Sequence, residues 1–155
     1  MATDSGPNPA TDKPSGLSQN VAWTVHKGSF IAHISVVMIG HSILRFAFTK
    51  EIAYQLTPLL YNVLTFVFFH LIVGDPFDPR FNNHSFWEQM VEQIGYSSTT
   101  IFFMVFPIVM FIVINHLVVW NVYLFYLTIL SLILVVVPKL GFMHRKRVFG
   151  LGHEE

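Results

Sequence analysis

Four apolar runs set the limits on what this chain can become: residues 30–48, 52–73, 99–114 and 117–137. The second is roughly 22 residues long, which spans about 33 Å as a helix at 1.5 Å per residue, enough to cross the hydrocarbon core of a bilayer. Composition points the same way. Hydrophobic residues make up 53% of the 155 positions and charged residues 12%, about half the charged share of an ordinary soluble domain. Sixteen Phe exceed what one small soluble core can hide, so apolar surface must face lipid or a partner. The expected fold is an all-α membrane protein with four transmembrane helices, a short interfacial amphipathic helix and a disordered N-terminal tail.

Charge and cysteine content exclude several function classes. The formal net charge is zero, which gives no basis for nucleic-acid binding. The one dense basic cluster, His144-Arg145-Lys146-Arg147, follows the last apolar run and reads as a topological anchor at the headgroups. Cysteine is absent, which rules out disulfides, thiolate metal sites and a cysteine nucleophile.

Residues 1–20 are rich in Ala, Thr, Asp, Ser, Gly, Pro and Asn and cannot bury enough apolar area to offset ordering entropy. They form the expected tail, ahead of a transmembrane domain over 21–155. The first apolar run carries His33, Gly40, His41, Ser42 and Arg45, polarity that belongs against other helices rather than open lipid. His26 and His33 share a helical face, but no third ligand stands at a useful spacing, so interhelical hydrogen bonding is their expected role.

Thr57-Pro58 is placed one turn inside the second run, where a proline costs little. His70 lies near that run's far end, and Gly74-Asp75-Pro76-Phe77 stops it. Residues 84–94 then read as the amphipathic helix. Ser85 followed by Glu88 fits a capping box, and Trp87 is expected at headgroup depth. Pro107 should kink the third span. The last two spans join at Asn115-His116 or at a longer turn near Trp120-Asn121. Four spans put both termini on one side, and Lys139, Arg145, Lys146 and Arg147 mark that side as cytoplasmic.

The series Leu56-Thr57, Tyr61-Asn62, Phe69-His70, Gly74-Asp75-Pro76-Phe77 and Trp87-Glu88-Gln89-Met90 resembles the Orm/ORMDL family of endoplasmic reticulum membrane proteins. Phe106-Pro107-Ile108-Val109, Val137-Pro138-Lys139-Leu140 and Arg147-Val148-Phe149-Gly150 follow in the family's order. The resemblance implies a compact four-helix bundle in the endoplasmic reticulum membrane. It further implies a non-enzymatic subunit that binds serine palmitoyltransferase and restrains sphingolipid synthesis when ceramide is high. An Asn shortly before the first span contacts ceramide in that family, and the matching position is Asn20. His70, Asp75, Trp87 and Glu88 are the other candidates, as partner-facing or structural polar positions. The chain departs from the family pattern at Val73 and Asp75, at Phe86 and Val91, at Thr99-Thr100 and at Gly141, mostly on the expected cytoplasmic face.

Those departures motivate a rival reading: an accessory structural subunit that kept the scaffold but serves another complex, for example in the mitochondrial inner membrane. An enzyme or transporter is disfavoured. The sequence has no metal-ligand cluster, nucleophile motif or phosphate loop and calls for no cofactor. It also shows no paired broken helices.

Overall fold

The second apolar run becomes the helix on which the others pack. A computed structural model describes residues 16–72, 79–81 and 84–143 of the chain. Helices α1 (Gln19–Val25), α2 (Lys27–Ala47) and α3 (Lys50–Phe66) come first, and α3 runs on into a π-helical turn, Val67–Leu71. After a 3-10 turn at Pro79–Phe81 come α4 (Phe86–Ile94), α5 (Ser98–Leu117) and α6 (Val122–Val136), with 3-10 turns at Val137–Lys139 and Gly141–Met143. Helix α3 packs against α2, α5 and α6. Among the described residues four helical stretches are long and apolar enough to cross a bilayer: Lys27–Ala47, Lys50–Leu71, Ser98–Leu117 and Val122–Lys139. The chain is an all-α membrane protein.

Polar side chains inside the spans are satisfied in two ways, and the difference shapes the bundle. Thr57, Thr65 and Thr128 return their hydroxyls to the carbonyl four residues back, each at 2.7 Å. That habit hides the polar group within its own helix. Others reach across. His33 Nε2 pairs with Tyr61 Oη at 2.7 Å, His41 Nδ1 with Thr57 Oγ1 at 2.8 Å, and Asn62 Nδ2 donates to Ser131 Oγ at 3.1 Å. In lipid, where apolar burial drives little helix association, such bonds help fix which helices touch. The His pairs tie α2 to α3, and Asn62 ties α3 to α6.

The helix boundaries correct one expectation and decide another. Helix α3 starts at Lys50, with the Ala53 amide donating to Thr49 O at 2.9 Å. Pro58 therefore lies in about the third turn rather than the first, and the Tyr54 carbonyl lacks its usual amide donor. The α5–α6 joint falls at residues 118–121, the later of the two candidates. Asn121 Oδ1 caps α6 by accepting from the Tyr123 and Leu124 amides at 3.0 and 3.4 Å. Gln55 holds the same turn, donating to Val119 O at 3.1 Å and accepting from the Asn121 amide at 2.8 Å.

Helix α4 begins as its sequence predicts. Ser85 Oγ accepts from the Glu88 amide at 3.3 Å, and the Glu88 carboxylate accepts from the Ser85 amide at 2.9 Å. It ends at Gly95, whose φ of 62° is costly for any residue with a Cβ. Its apolar face is spent inside the protein: Phe86, Trp87 and Met90 form a core with Val21, Phe69 and Phe103. Trp87 is 2% exposed, so it is a core residue rather than a headgroup anchor. The expected tail is also shorter than 1–20 within the described chain. Helix α1 starts at Gln19, and Ser18 is bonded to α4; residues 1–15 lie outside the described residues.

Candidate regulatory surface at the terminal end of the bundle

Helix α1, helix α4, the start of α5 and the end of α6 gather at one end of the bundle. The Gln55 turn and the short α2–α3 connection occupy the other. Three contacts fasten α1. Ser18 donates its amide and hydroxyl to Gln93 Oε1 at 2.8 and 3.1 Å, and Gln89 Nε2 donates to Ser18 Oγ at 2.9 Å. Beneath them Val21 is fully buried, and Thr99 Oγ1 donates to Thr24 O at 3.4 Å. With one face so held, α1 turns the other outward. Asn20 is exposed, and Trp23, three residues on and therefore on the same helical side, is 57% exposed.

The remaining candidates divide. Glu88 is consumed by the capping box and acts structurally. His70 and Trp87 come together, with ring centroids 6.4 Å apart, and the π turn carries His70 into that position. His70 Nε2 is buried with no hydrogen-bond partner among the described residues. Asp75 lies outside the described residues, as does the basic cluster at 144–147. Among the contacts of the described residues, none joins Asn20 to the His70–Trp87 group.

Lys139, counted from the sequence only among the charges that mark one side of the membrane, is buried. It is 0% exposed and therefore cannot sit among headgroups. Its Nζ donates to the Phe103 carbonyl at 2.9 Å and lies 4.7 Å from the Phe69 ring centroid and 5.4 Å from that of Trp87. An ammonium facing two aromatic faces is attracted by their quadrupoles. Among the described residues no carboxylate pairs with it. The signal that could have found it is Pro107. Lacking an amide hydrogen, a proline frees the carbonyl four residues earlier, which is that of Phe103.

The other titratable groups in the spans form separate contacts. His33 is ringed by Tyr61, Phe102, Phe103 and Phe106 at centroid distances of 5.4, 5.7, 5.0 and 5.4 Å. His41 stacks on Tyr54 at 4.5 Å, and Arg45 donates to Phe48 O at the end of α2, at 3.2 Å. Among the described residues these are paired across or along helices. Among the described residues no three His, Cys, Asp or Glu side chains converge on a possible metal position.

The ORMDL family model matches residues 18–147, from the serine that fastens α1 to the basic cluster. The chain belongs to the ORMDL family. An uncharacterised Schizosaccharomyces pombe protein is 33% identical over 147 residues, covering 90% of this chain and 78% of the relative. Protein ORM2 of Saccharomyces cerevisiae is 31% identical, over 84% of this chain and 63% of its own length. ORM1-like protein 2 of Homo sapiens is 30% identical, over 81% of this chain and 86% of its own. In this ORMDL protein the matched region starts at Ser18, so the anchored helix α1 belongs to the shared part rather than to the tail.

Proposed function

We propose that this chain is a non-enzymatic regulatory subunit of serine palmitoyltransferase, residing in the endoplasmic reticulum membrane with both termini cytoplasmic. On this reading it lowers sphingolipid synthesis when ceramide accumulates. The observation that carries it is the presentation of Asn20: a polar side chain on the outward face of a short helix that α4 holds against the bundle. A helix bonded on one side and exposed on the other is pre-organised for a partner, which lowers the ordering cost of binding. Ceramide has an amide and hydroxyls, and the Asn20 carboxamide can both donate to and accept from them. The exposed Trp23 beside it suits the apolar remainder of such a lipid.

The test begins with gentle-detergent purification of the tagged chain and mass spectrometry of what accompanies it. Recovery of serine palmitoyltransferase subunits is expected. Adding ceramide to that complex should then inhibit it, and Asn20→Ala should blunt the inhibition without lowering uninhibited turnover. Undiminished inhibition would take Asn20 out of the site. Recovery of a mitochondrial inner-membrane complex without the transferase would favour the accessory-subunit reading instead.

A further inference from the structure

A groove of about 380 Å³ lies between α1 and the first turns of α2 and α5. Its floor is apolar, made by Leu17, Val25, Phe30 and Ile94, and Lys27 and residues 97–99 complete its lining. Both α2 and α5 are spans that start here, so the groove stands where two helices enter the membrane.

The charged side chain among the described residues that line the groove is a cation, although α1 and α4 also end beside it, at Val25 and Ile94. Lys27 is the first residue of α2, at the positive end of its own helix, and neither α2 nor α5 has an acidic residue in its first turn. Neither N-cap side chain closes on its helix. The Ser97 hydroxyl is instead buried with no partner among the described residues. The first intrahelical bond of α5 runs from the Ile101 amide to Ser97 O at 3.0 Å, leaving the amides of Ser98, Thr99 and Thr100 ahead of it. A cation and the first-turn amides of α5 thus stand beside one concave site with an apolar floor. That chemistry calls for an anion joined to hydrocarbon.

We infer that this groove binds an anionic phospholipid. The phosphate sits against Lys27 and the α5 amides, and the glycerol and upper acyl carbons rest on Phe30 and Ile94. The acyl chains continue along the outward face of α2, where Ile31 and Ile34 are exposed. Asn20 does not line the groove. The site is therefore independent of the residue on which the proposed regulation rests, and the two can fail separately.

The experiment is native mass spectrometry of the purified full chain, incubated with equimolar phosphatidylserine and phosphatidylcholine. Retention should favour phosphatidylserine by about fivefold, the size expected of one lysine near an anionic lipid. Lys27→Gln should abolish the preference. Lys50→Gln, at the opposite end of the bundle, should leave it intact. Ser98→Asp supplies a competing carboxylate at the α5 N-terminus; it should abolish the preference while raising thermal stability, which separates lipid loss from misfolding. Equal retention of the two lipids overturns the inference, and it is also the outcome if the groove takes an acidic partner segment. A preference that survives Lys27→Gln overturns it too.

Discussion

Lys139 and Phe103 are joined by a bond that exists because of a third residue. The ammonium donates to the Phe103 carbonyl at 2.9 Å, and that carbonyl is open because Pro107, four residues later, has no amide hydrogen to offer. A proline within a span and a buried lysine are thus two halves of one arrangement. Lys139→Met keeps much of the volume but leaves the carbonyl unpaired, at a cost of about 1–3 kcal/mol. Pro107→Ala restores an amide donor to Phe103. The double variant should therefore be more stable than the sum of the two single losses implies, by roughly 0.5–3 kcal/mol. Thermal unfolding in detergent measures all three proteins, and strictly additive losses would sink the coupling.

The His33–Tyr61 contact combines a hydrogen bond with ring packing, and the two can be separated. Tyr61→Phe removes only the hydroxyl and should cost about 0.6 kcal/mol, the average for a polar contact between membrane helices. His33→Ala also removes the ring that Phe102, Phe103 and Phe106 surround. Since aromatic pairs contribute about 0.5–1.5 kcal/mol each, its loss should be clearly the larger. Equal midpoints for the two variants in a denaturation series would mean the ring packing contributes nothing.

Ser85→Ala removes the side-chain half of the capping box and should cost about 1 kcal/mol. The loss should be local. Amide exchange is expected to quicken in the first turn of α4 and, through Gln89 and Gln93, in α1, while the centres of α3 and α6 stay protected. Faster exchange throughout the bundle would contradict a local role.

Gln93→Ala should loosen α1 without touching Asn20. Ser18 loses the acceptor for both its amide and its hydroxyl, so limited proteolysis should cut more readily near Gly16. If α1 must be held in place to act, ceramide-dependent inhibition should weaken alongside it. Easier cleavage with full inhibition would show that the helix need not be docked.

The spans were legible because bilayer thickness leaves a one-dimensional mark, and the capping box because its partners stand three residues apart. Lys139 was not. After a proline at the end of an apolar run it reads as one more charge marking the cytoplasmic side, and only the folded bundle brings it beneath Phe69 and Trp87. Trp87 misled for the same reason: a tryptophan beside a span suits an interface, until α1 and the π turn cover it. Pro58 was misplaced because hydropathy located the start of α3, whereas the charged pair Lys50-Glu51 is already helical. Asn20 entered through resemblance; its outward orientation came from the bonds of Ser18, which no local pattern announced.

The wide turn at Val67–Leu71 has a further consequence. The residues that α3 buries include Ala53, Thr57, Tyr61 and Thr65, and Phe69 follows within the π turn, all spaced by four. Each such step overshoots a full rotation of an ordinary helix by about 40°, so the stripe creeps steadily around the cylinder. The looser winding of a π segment runs the creep backward for one step and returns Phe69 to the core. The segment acts as a leap day in the helical calendar: winding the same residues as an ordinary helix would put Phe69 and every later side chain of the span out of season with the core.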